Sequence, residues 1–269
     1  MASGDTARVS RYPYLDTPGP LAFAHRGGAA DGDENTVAAF GRAVGLGYRY
    51  LETDVQATAD GVPVIFHDQT LKRLAGRPDK VSDLRAADLA TIRVGGAQAV
   101  PTLLDVLGDW PQVRFNIDVK AWNAVAPLVE AIRRAGALDR VLVASFSDRR
   151  LAAVRRALGP GLATSSGPGE TVRLRVGSIT GRPSPVARRI AAVQVPTALG
   201  PLRVVDRRFV AYAHRLGLQV HVWTIDDPDD MVRLLDLGVD GIMTDRIDVL
   251  RDVFVARGLW AKGRDDERT

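Results

Sequence analysis

Short apolar runs alternate with amphipathic segments along most of the chain, and this rhythm constrains the fold more than any other feature. Runs of apolar and β-branched residues predict strands at 21–25, 50–55, 114–119, 141–146, 161–165, 192–196, 219–224 and 241–244. Helical patterns separate most of them, at 36–46, 102–110, 125–135, 149–158, 206–216 and 229–237. Eight strands joined by helical crossovers are typical of a (β/α)8 TIM barrel, which we predict here as a single α/β domain.

An open doubly wound sheet is the alternative architecture. Such a sheet is expected to carry a glycine-rich phosphate loop after its first strand, and HRGG at 25–28 lacks the GxGxxG spacing. The barrel is predicted over residues 21–257, between an irregular, proline-containing arm at 1–20 and a charged tail at 258–269. A short helix is expected at 82–92, whereas the Gly-, Pro- and Arg-rich pattern at 166–191 does not locate its helix.

A pair of carboxylates in the second predicted strand is the first sign of a functional site. Alternate residues of a strand point to one face, so Glu52 and Asp54 project together while Leu51, Thr53 and Val55 point away. Two like charges on a buried face are costly unless something neutralises them. A divalent cation with oxygen ligands is the simplest such partner.

A hairpin is predicted to bring a histidine to the same place. Asp60-Gly61 is a turn signal, and 62–66 is a second strand-like run that lies too close to the first for a parallel crossover. An antiparallel return places His67 opposite roughly position 53, beside the carboxylates. We therefore expect an extra hairpin strand near the mouth of the barrel.

Polar residues also end two other predicted strands. In TIM barrels the functional side chains lie at the carboxyl ends of the strands. His25 and Arg26 end the first strand. In the run FNIDVK, Asn116, Asp118 and Lys120 share one face, opposite the three apolar residues that alternate with them. These polar residues are therefore predicted to line one open end of the barrel.

Bulk composition sets wider limits. The 269 residues, 46% of them hydrophobic, are enough for a large core. The chain has no cysteine, apolar signal core or long apolar span, so we expect a soluble, cytoplasmic protein. The net charge of +4 comes mostly from arginine pairs, which we interpret as solvated helix faces; a weak preference for anionic substrates or membrane surfaces is the alternative. Basic runs of nucleic-acid-binding type are absent.

Ordered motifs across residues 21–246 resemble the glycerophosphodiester phosphodiesterase family, within the phospholipase-C-like phosphodiesterase superfamily. They are HRGG (25–28), ENT (34–36), ETDV (52–55), DGVPVIFHDQTL (60–71), VSDL (81–84), PTLLDVL (101–107), IDVK (117–120), SF (145–146), VWTID (222–226) and GVDGIMTD (238–245). Each is weak alone, but their order and spacing together are specific. The resemblance implies a barrel enzyme of lipid and glycerol metabolism that cleaves glycerophosphodiesters to glycerol 3-phosphate and an alcohol, using a divalent metal.

The resemblance also implies roles for individual residues. Glu52, Asp54 and Asp118 match the metal ligands, with Ca²⁺ or Mg²⁺ as the expected cation. Arg26 and Lys120 match the phosphate contacts. The family commonly has glutamate at the position of Asp118, so the shorter arm here would shift the metal or add a water ligand.

The same resemblance matches two histidines to the acid–base pair. We assign His25 as the base and His67 as the acid by hypothesis; the sequence leaves their order open, and also whether water or a substrate hydroxyl is the nucleophile. Histidine suits both roles because its pKa lies near neutrality. Trp223 is expected either to form an apolar pocket wall near the glycerol or to pack in the core.

Two other functions remain open at the level of sequence. One is a phosphodiesterase of the same superfamily that acts on lysophospholipids or phosphoinositides. Such substrates are expected to require an exposed apolar rim, and residues 69–100 offer few large apolar side chains. The other is a non-enzymatic phosphate-binding barrel, which loss of a metal ligand or a histidine would indicate; none is lost here.

Overall fold

A nine-stranded sheet organises the parts of the chain that the computed structural model describes, residues 11–94 and 97–260. In chain order the strands are β1 (Leu21–Ala24), β2 (Tyr50–Ala57), β3 (Pro63–Ile65), β4 (Arg93–Val94), β5 (Gln98–Ala99), β6 (Arg114–Val119), β7 (Val141–Ala144), β8 (Ala163–Thr164), β9 (Ala192–Val195), β10 (Ala198–Leu199), β11 (Leu202–Arg203), β12 (Gln219–Val222) and β13 (Gly241–Thr244). Eight of them run parallel in the order β8-β7-β6-β2-β1-β13-β12-β9. A parallel bridge between Ser165 and Ala192 joins the two ends. The predicted (β/α)8 barrel is confirmed.

Helices fill the crossovers between these strands. They are α1 (Val37–Gly45), α2 (Lys72–Ala75), α3 (Ala86–Leu89), α4 (Leu103–Asp109), α5 (Val125–Arg134), α6 (Asp148–Leu158), α7 (Pro168–Thr180), α8 (Arg207–Arg215), α9 (Pro228–Leu237) and α10 (Ile247–Ala256). Helix α7 occupies the link whose pattern did not locate a helix. The helix expected at 82–92 is shorter, a 3-10 turn at Val81–Asp83 followed by α3.

Side-chain caps fix where several crossover helices begin. Thr36 Oγ1 accepts a hydrogen bond from Ala39 N at 3.1 Å, as expected for an N-cap. Thr102, Ser147 and Asp206 cap α4, α6 and α8 in the same way. Each cap satisfies a backbone N–H that the helix itself leaves free, so the turn after a strand leads directly into a helix.

The predicted hairpin strand lies against β2. Strand β3 pairs antiparallel to β2 with Val55 opposite Ile65, and Phe66 N donates to Asp54 O at 3.0 Å. This register carries His67 back toward position 53. The prediction of an extra strand near the barrel mouth is therefore confirmed.

The amino ends of the strands are closed by a core of their own. Tyr12, Tyr14 and Leu15 precede β1 and are buried there with residues such as Phe23 and Tyr50. The Tyr50 hydroxyl donates to Tyr14 O at 2.9 Å, and the two rings meet edge to face. Part of the segment predicted as an arm thus packs under the barrel; residues 1–10 and the tail from 261 onward lie outside the described residues.

A polar layer separates this core from the opposite end of the barrel. His221 on β12 is fully buried, and its Nε2 lies 2.8 Å from Gln219 Oε1. Gln194 Nε2 lies 3.2 Å from His221 Nδ1 and donates to Asn116 Oδ1 at 3.1 Å. Burial lowers the pKa of His221 to about 4, so the imidazole is neutral at physiological pH.

Within the described residues, none of the helices combines the length and the apolar character needed to cross a bilayer.

Candidate functional site

The carboxyl ends of the strands surround a cavity of about 460 Å³. Its lining includes every residue that the sequence singled out for a site: His25, Arg26, Glu52, Asp54, His67, Asp118, Lys120 and Trp223. The barrel produces this convergence because parallel strands end at one face, whatever their separation along the chain. The position of the cavity is typical of TIM-barrel active sites.

The loop after β1 turns sharply under the cavity. Arg26 has a φ of +51°, an unusual value for a residue with a side chain, and its guanidinium points into the site. Gly27 and Gly28 follow with φ of +84° and +96°. A Cβ on Gly27 would lie 2.8 Å from Phe40, and one on Gly28 would lie 2.9 Å from Ile247. The HRGG motif therefore allows the loop to pack flat against α1 and α10.

His25 is held by an aspartate from the last strand crossover. Its Nδ1 lies 2.6 Å from Asp245 Oδ1, and its Nε2 lies 3.7 Å from Glu52 Oε2. With Nδ1 donating to Asp245, Nε2 faces the cavity. Burial alone would lower the pKa of His25, but Glu52 and Asp245 outweigh it and raise that pKa above its ordinary value.

His67 is held by its neighbour in sequence. Its Nδ1 lies 2.7 Å from Asp68 Oδ1, and Arg73 Nε donates to Asp68 Oδ2 at 2.8 Å. Arg73 also binds both carboxylate oxygens of Glu34 at 2.7 Å, and Glu34 accepts from Arg26 Nη1 at 2.9 Å. A continuous hydrogen-bonded network thus joins this imidazole to Arg26. Asp68 can turn toward His67, although the two are neighbours in sequence, because both lie beyond the end of β3.

The three predicted metal ligands are buried side chains on the paired strands β2 and β6. Lys120 Nζ contacts Asp54 Oδ1 and Asp118 Oδ2, each at 2.7 Å. Burial, and next the charge of Asp54, raises the pKa of Glu52 to about 7. Burial would also raise the pKa of Asp54, but Lys120 and Arg26 outweigh it and lower that pKa. Burial raises the pKa of Asp118 in spite of Lys120.

These carboxylates have more negative charge than the protein neutralises. Asp118 Oδ1 is buried without a hydrogen-bond partner, and Glu52 ionises with difficulty beside Asp54. Across residues 11–94 and 97–260, no cluster of three or more acidic or imidazole groups is arranged as a complete set of metal ligands. Lys120 instead bridges Asp54 and Asp118. An unpartnered oxygen and uncompensated carboxylates fit a hard divalent cation.

The other side of the cavity is apolar. Phe146, Val172, Leu199 and Trp223 line it, and the rings of Phe146 and Trp223 meet edge to face at 5.6 Å. Trp223 is half-buried and also packs against the core at the amino ends of the strands. Trp223 was expected either to form a pocket wall or to pack in the core, and its indole does both. Its contact with glycerol stays a prediction.

Sequence reasoning did not assign Asp245 or Arg73 to the site. The barrel topology could have identified Asp245, because Ala24 pairs with Thr244 in the register of β1 and β13. The next residue on each strand is His25 and Asp245, so closing the predicted barrel places the two side by side. The contact of Arg73 could not be predicted in this way, because Arg73 lies on α2 and not on a barrel strand.

The paired imidazoles, cations and carboxylates at one barrel mouth place the chain among TIM-barrel enzymes suited to phosphate esters. Residues 25–249 match the sequence model of the glycerophosphoryl diester phosphodiesterase family, and the chain belongs to that family. It is 43% identical to the probable glycerophosphodiester phosphodiesterase 2 of Mycobacterium tuberculosis, over 97% of this chain and 99% of that protein.

Solved structures agree on the fold. A crystal structure named for a glycerophosphoryl diester phosphodiesterase of Silicibacter pomeroyi aligns with a TM-score of 0.78 and 26% identity, over 93% of this chain and all of that one. A phosphodiesterase of Oleispira antarctica, solved in complex with the product sn-glycerol-3-phosphate, aligns with a TM-score of 0.74 over 88% of this chain and 97% of that one. At 23% identity this second likeness establishes the fold.

Proposed function

We propose that the protein hydrolyses glycerophosphodiesters to glycerol 3-phosphate and an alcohol, with His25 and His67 as the acid–base pair. The observation that carries the proposal is that each imidazole has a carboxylate on its Nδ1, Asp245 at 2.6 Å and Asp68 at 2.7 Å. This arrangement orients the Nε2 atom of each ring for proton transfer. Membership of the family and the product bound to the Oleispira antarctica phosphodiesterase support the reaction.

Arg26 and Lys120 are the proposed phosphate contacts. Both line the cavity and both are held by buried carboxylates, Arg26 by Glu34 and Lys120 by Asp118. A guanidinium can bind two phosphate oxygens at once, and an ammonium adds a point charge. Together they would orient the diester with its phosphorus between the imidazoles.

Glu52, Asp54 and Asp118 would hold the divalent cation, Ca²⁺ or Mg²⁺. Enzymes of this family typically depend on a metal. A bound divalent ion supplies positive charge to the phosphoryl oxygens as the transition state forms. Asn35 donates to Asp54 Oδ2 at 2.8 Å and so fixes the orientation of that carboxylate.

The histidines move the protons of the reaction. We assign His25 to remove the proton from the attacking hydroxyl, because Asp245 and Glu52 raise its pKa and make it a stronger base. His67 would then donate a proton to the leaving oxygen of the alcohol. The carboxylates on the two Nδ1 atoms stabilise each imidazolium while it carries the proton.

A metal and substrate panel tests this function. Purified protein is stripped with chelator, resupplied with Ca²⁺, Mg²⁺ or Mn²⁺, and offered soluble glycerophosphoalcohols and lysophospholipids. Release of glycerol 3-phosphate from the soluble diesters, abolished by chelator and restored by one of the ions, is the expected result. Turnover that continues unchanged in chelator would contradict the metal site.

A second candidate function is hydrolysis of lysophospholipids. We expected no apolar rim from residues 69–100, but other crossovers supply one: Phe146, Val172 and Leu199 line the cavity and are exposed. An acyl chain could lie along these side chains while the phosphodiester reaches the imidazoles. In the same panel, turnover of lysophospholipids without turnover of soluble diesters would select this function.

A further inference from the structure

Four large apolar side chains protrude around the cavity opening. Phe146, Val172, Leu199 and Leu202 are 64%, 61%, 62% and 72% exposed, and we call them the apolar rim. The first three line the cavity, and Leu202 lies opposite Leu199 in the β10–β11 hairpin. Apolar side chains clustered in this way on a surface mark a site that binds a membrane, another protein or a ligand.

Three of the four rim residues lie in the most basic part of the sequence. Residues 171–208 contain eight arginines and a single acid, Asp206, a net charge of +7, whereas the whole chain carries only +4. Arg173 and Arg203 are exposed and follow directly after two rim residues, Val172 and Leu202. The positive charge beside the rim comes from these two exposed arginines.

Contacts between elements hold the rim and its arginines as one surface. Arg175 on α7 pairs with Asp206 at 2.6 Å and donates to the carbonyl of Arg203 at 3.4 Å, which ties the hairpin to α7. Arg208 Nε donates to Ser178 O at 2.7 Å and ties α8 to the same helix. Beyond the carboxyl ends of β6 and β7, the Arg149 guanidinium lies 5.0 Å from the centre of the exposed Trp122 ring.

We propose that the apolar rim and its arginines dock the protein on an anionic lipid surface, with the cavity opening toward the lipid. Apolar side chains would enter the boundary of the bilayer while the guanidiniums meet anionic headgroups. A second copy of this chain is the less suitable partner, because a symmetric pairing through the rim would bring Arg173 and Arg203 of the two copies together. The proposal concerns binding alone and does not depend on which phosphodiester the site hydrolyses.

Vesicle flotation of the full chain tests the proposal. The vesicles contain phosphatidylcholine alone or with about one-third phosphatidylglycerol, at low and high salt. Wild-type protein is expected to float with the anionic vesicles, and less so at high salt. Leu202→Asp should weaken that binding by about tenfold or more, since it removes a leucine that would enter the bilayer and adds a negative charge. Arg203→Glu should weaken it by roughly thirtyfold, and only on anionic vesicles.

Matched variants elsewhere on the surface serve as controls. Val255→Asp replaces an exposed valine on α10, and Arg134→Glu reverses an exposed arginine at the end of α5. Both should bind vesicles as wild type does, and all four variants should keep wild-type turnover of a soluble diester. Loss of turnover with intact vesicle binding would therefore count against the proposed function and not against docking.

Several results would overturn the docking proposal. Wild-type protein that stays with the buffer, controls that lose as much binding as the rim variants, or equal binding to neutral and anionic vesicles would each do so. Sedimentation at the assay concentration adds a further test. A dimer that Leu202→Asp dissolves would show that the rim joins two copies of the chain.

Discussion

The two ends of the barrel bury different chemistry on the same strands. At the amino ends, Tyr14, Phe23 and Tyr50 pack as aromatic residues in a closed core. At the carboxyl ends, continuation of the same strands leads to the half-buried His25 and the buried Glu52, two ionisable groups with raised pKa values. One end packs as a closed core, and the other is the end that we propose for binding and proton transfer. Substitutions should therefore have opposite consequences at the two ends.

The largest effect is expected at the mouth, from His25→Ala and His67→Ala. Each should lower kcat by roughly 10²–10⁴, the usual contribution of a general acid or base, with little change in the unfolding free energy. His214→Ala is the matched control, since this histidine lies on α8 beside Asp240 and outside the cavity. Steady-state kinetics with urea denaturation separates the two quantities. Near-wild-type turnover in either cavity variant would remove that residue from the mechanism.

Phe23→Ala should show the opposite behaviour. This ring is completely buried between Tyr50, at 5.2 Å, and His221, at 4.9 Å. Its removal should lower the unfolding free energy by about 3–5 kcal/mol while turnover per folded molecule is kept. Val255→Ala, at an exposed site, should change stability by less than about 0.5 kcal/mol. A Phe23 variant that stays stable but inactive would break the division between the two ends.

The buried His221 between the two ends should make stability depend on pH. Its folded pKa of about 4 lies below the unfolded value, so between about pH 6.5 and 4 the unfolded state binds the extra proton. Stability is therefore full above this window and should fall by about 3 kcal/mol on acidification through it. Urea denaturation as a function of pH measures this loss. The variant His221→Asn should lose that part of the slope, and an unchanged slope would contradict the assignment.

The smallest effect is expected from Asp245→Asn, which keeps a hydrogen-bond acceptor for His25 but removes the charge. Loss of that charge should lower the pKa of His25 and reduce kcat by about tenfold. The acidic limb of the pH–rate profile should shift toward lower pH, a change that a purely structural role would not produce. A tenfold loss with an unmoved profile would show that Asp245 acts through structure alone.

The sequence by itself determined the barrel and most of its polar mouth. Strand periodicity is local, so Glu52 with Asp54 and Asn116 with Asp118 were placed on one face before any tertiary contact was known. The turn at Asp60-Gly61 fixed the register that returns His67 to this face. These predictions depended only on the pleat of a strand and on the carboxyl-end rule for barrels.

Only the tertiary structure decided which groups support the histidines and where the apolar rim lies. Asp245 reaches His25 across 220 residues because ring closure makes the first and last strands neighbours. Phe146, Val172 and Leu199 belong to three different crossovers, and no periodic pattern links residues that share neither a strand nor a helix. A local pattern fixes the direction of a side chain, whereas its distant neighbours are fixed by chain closure and packing.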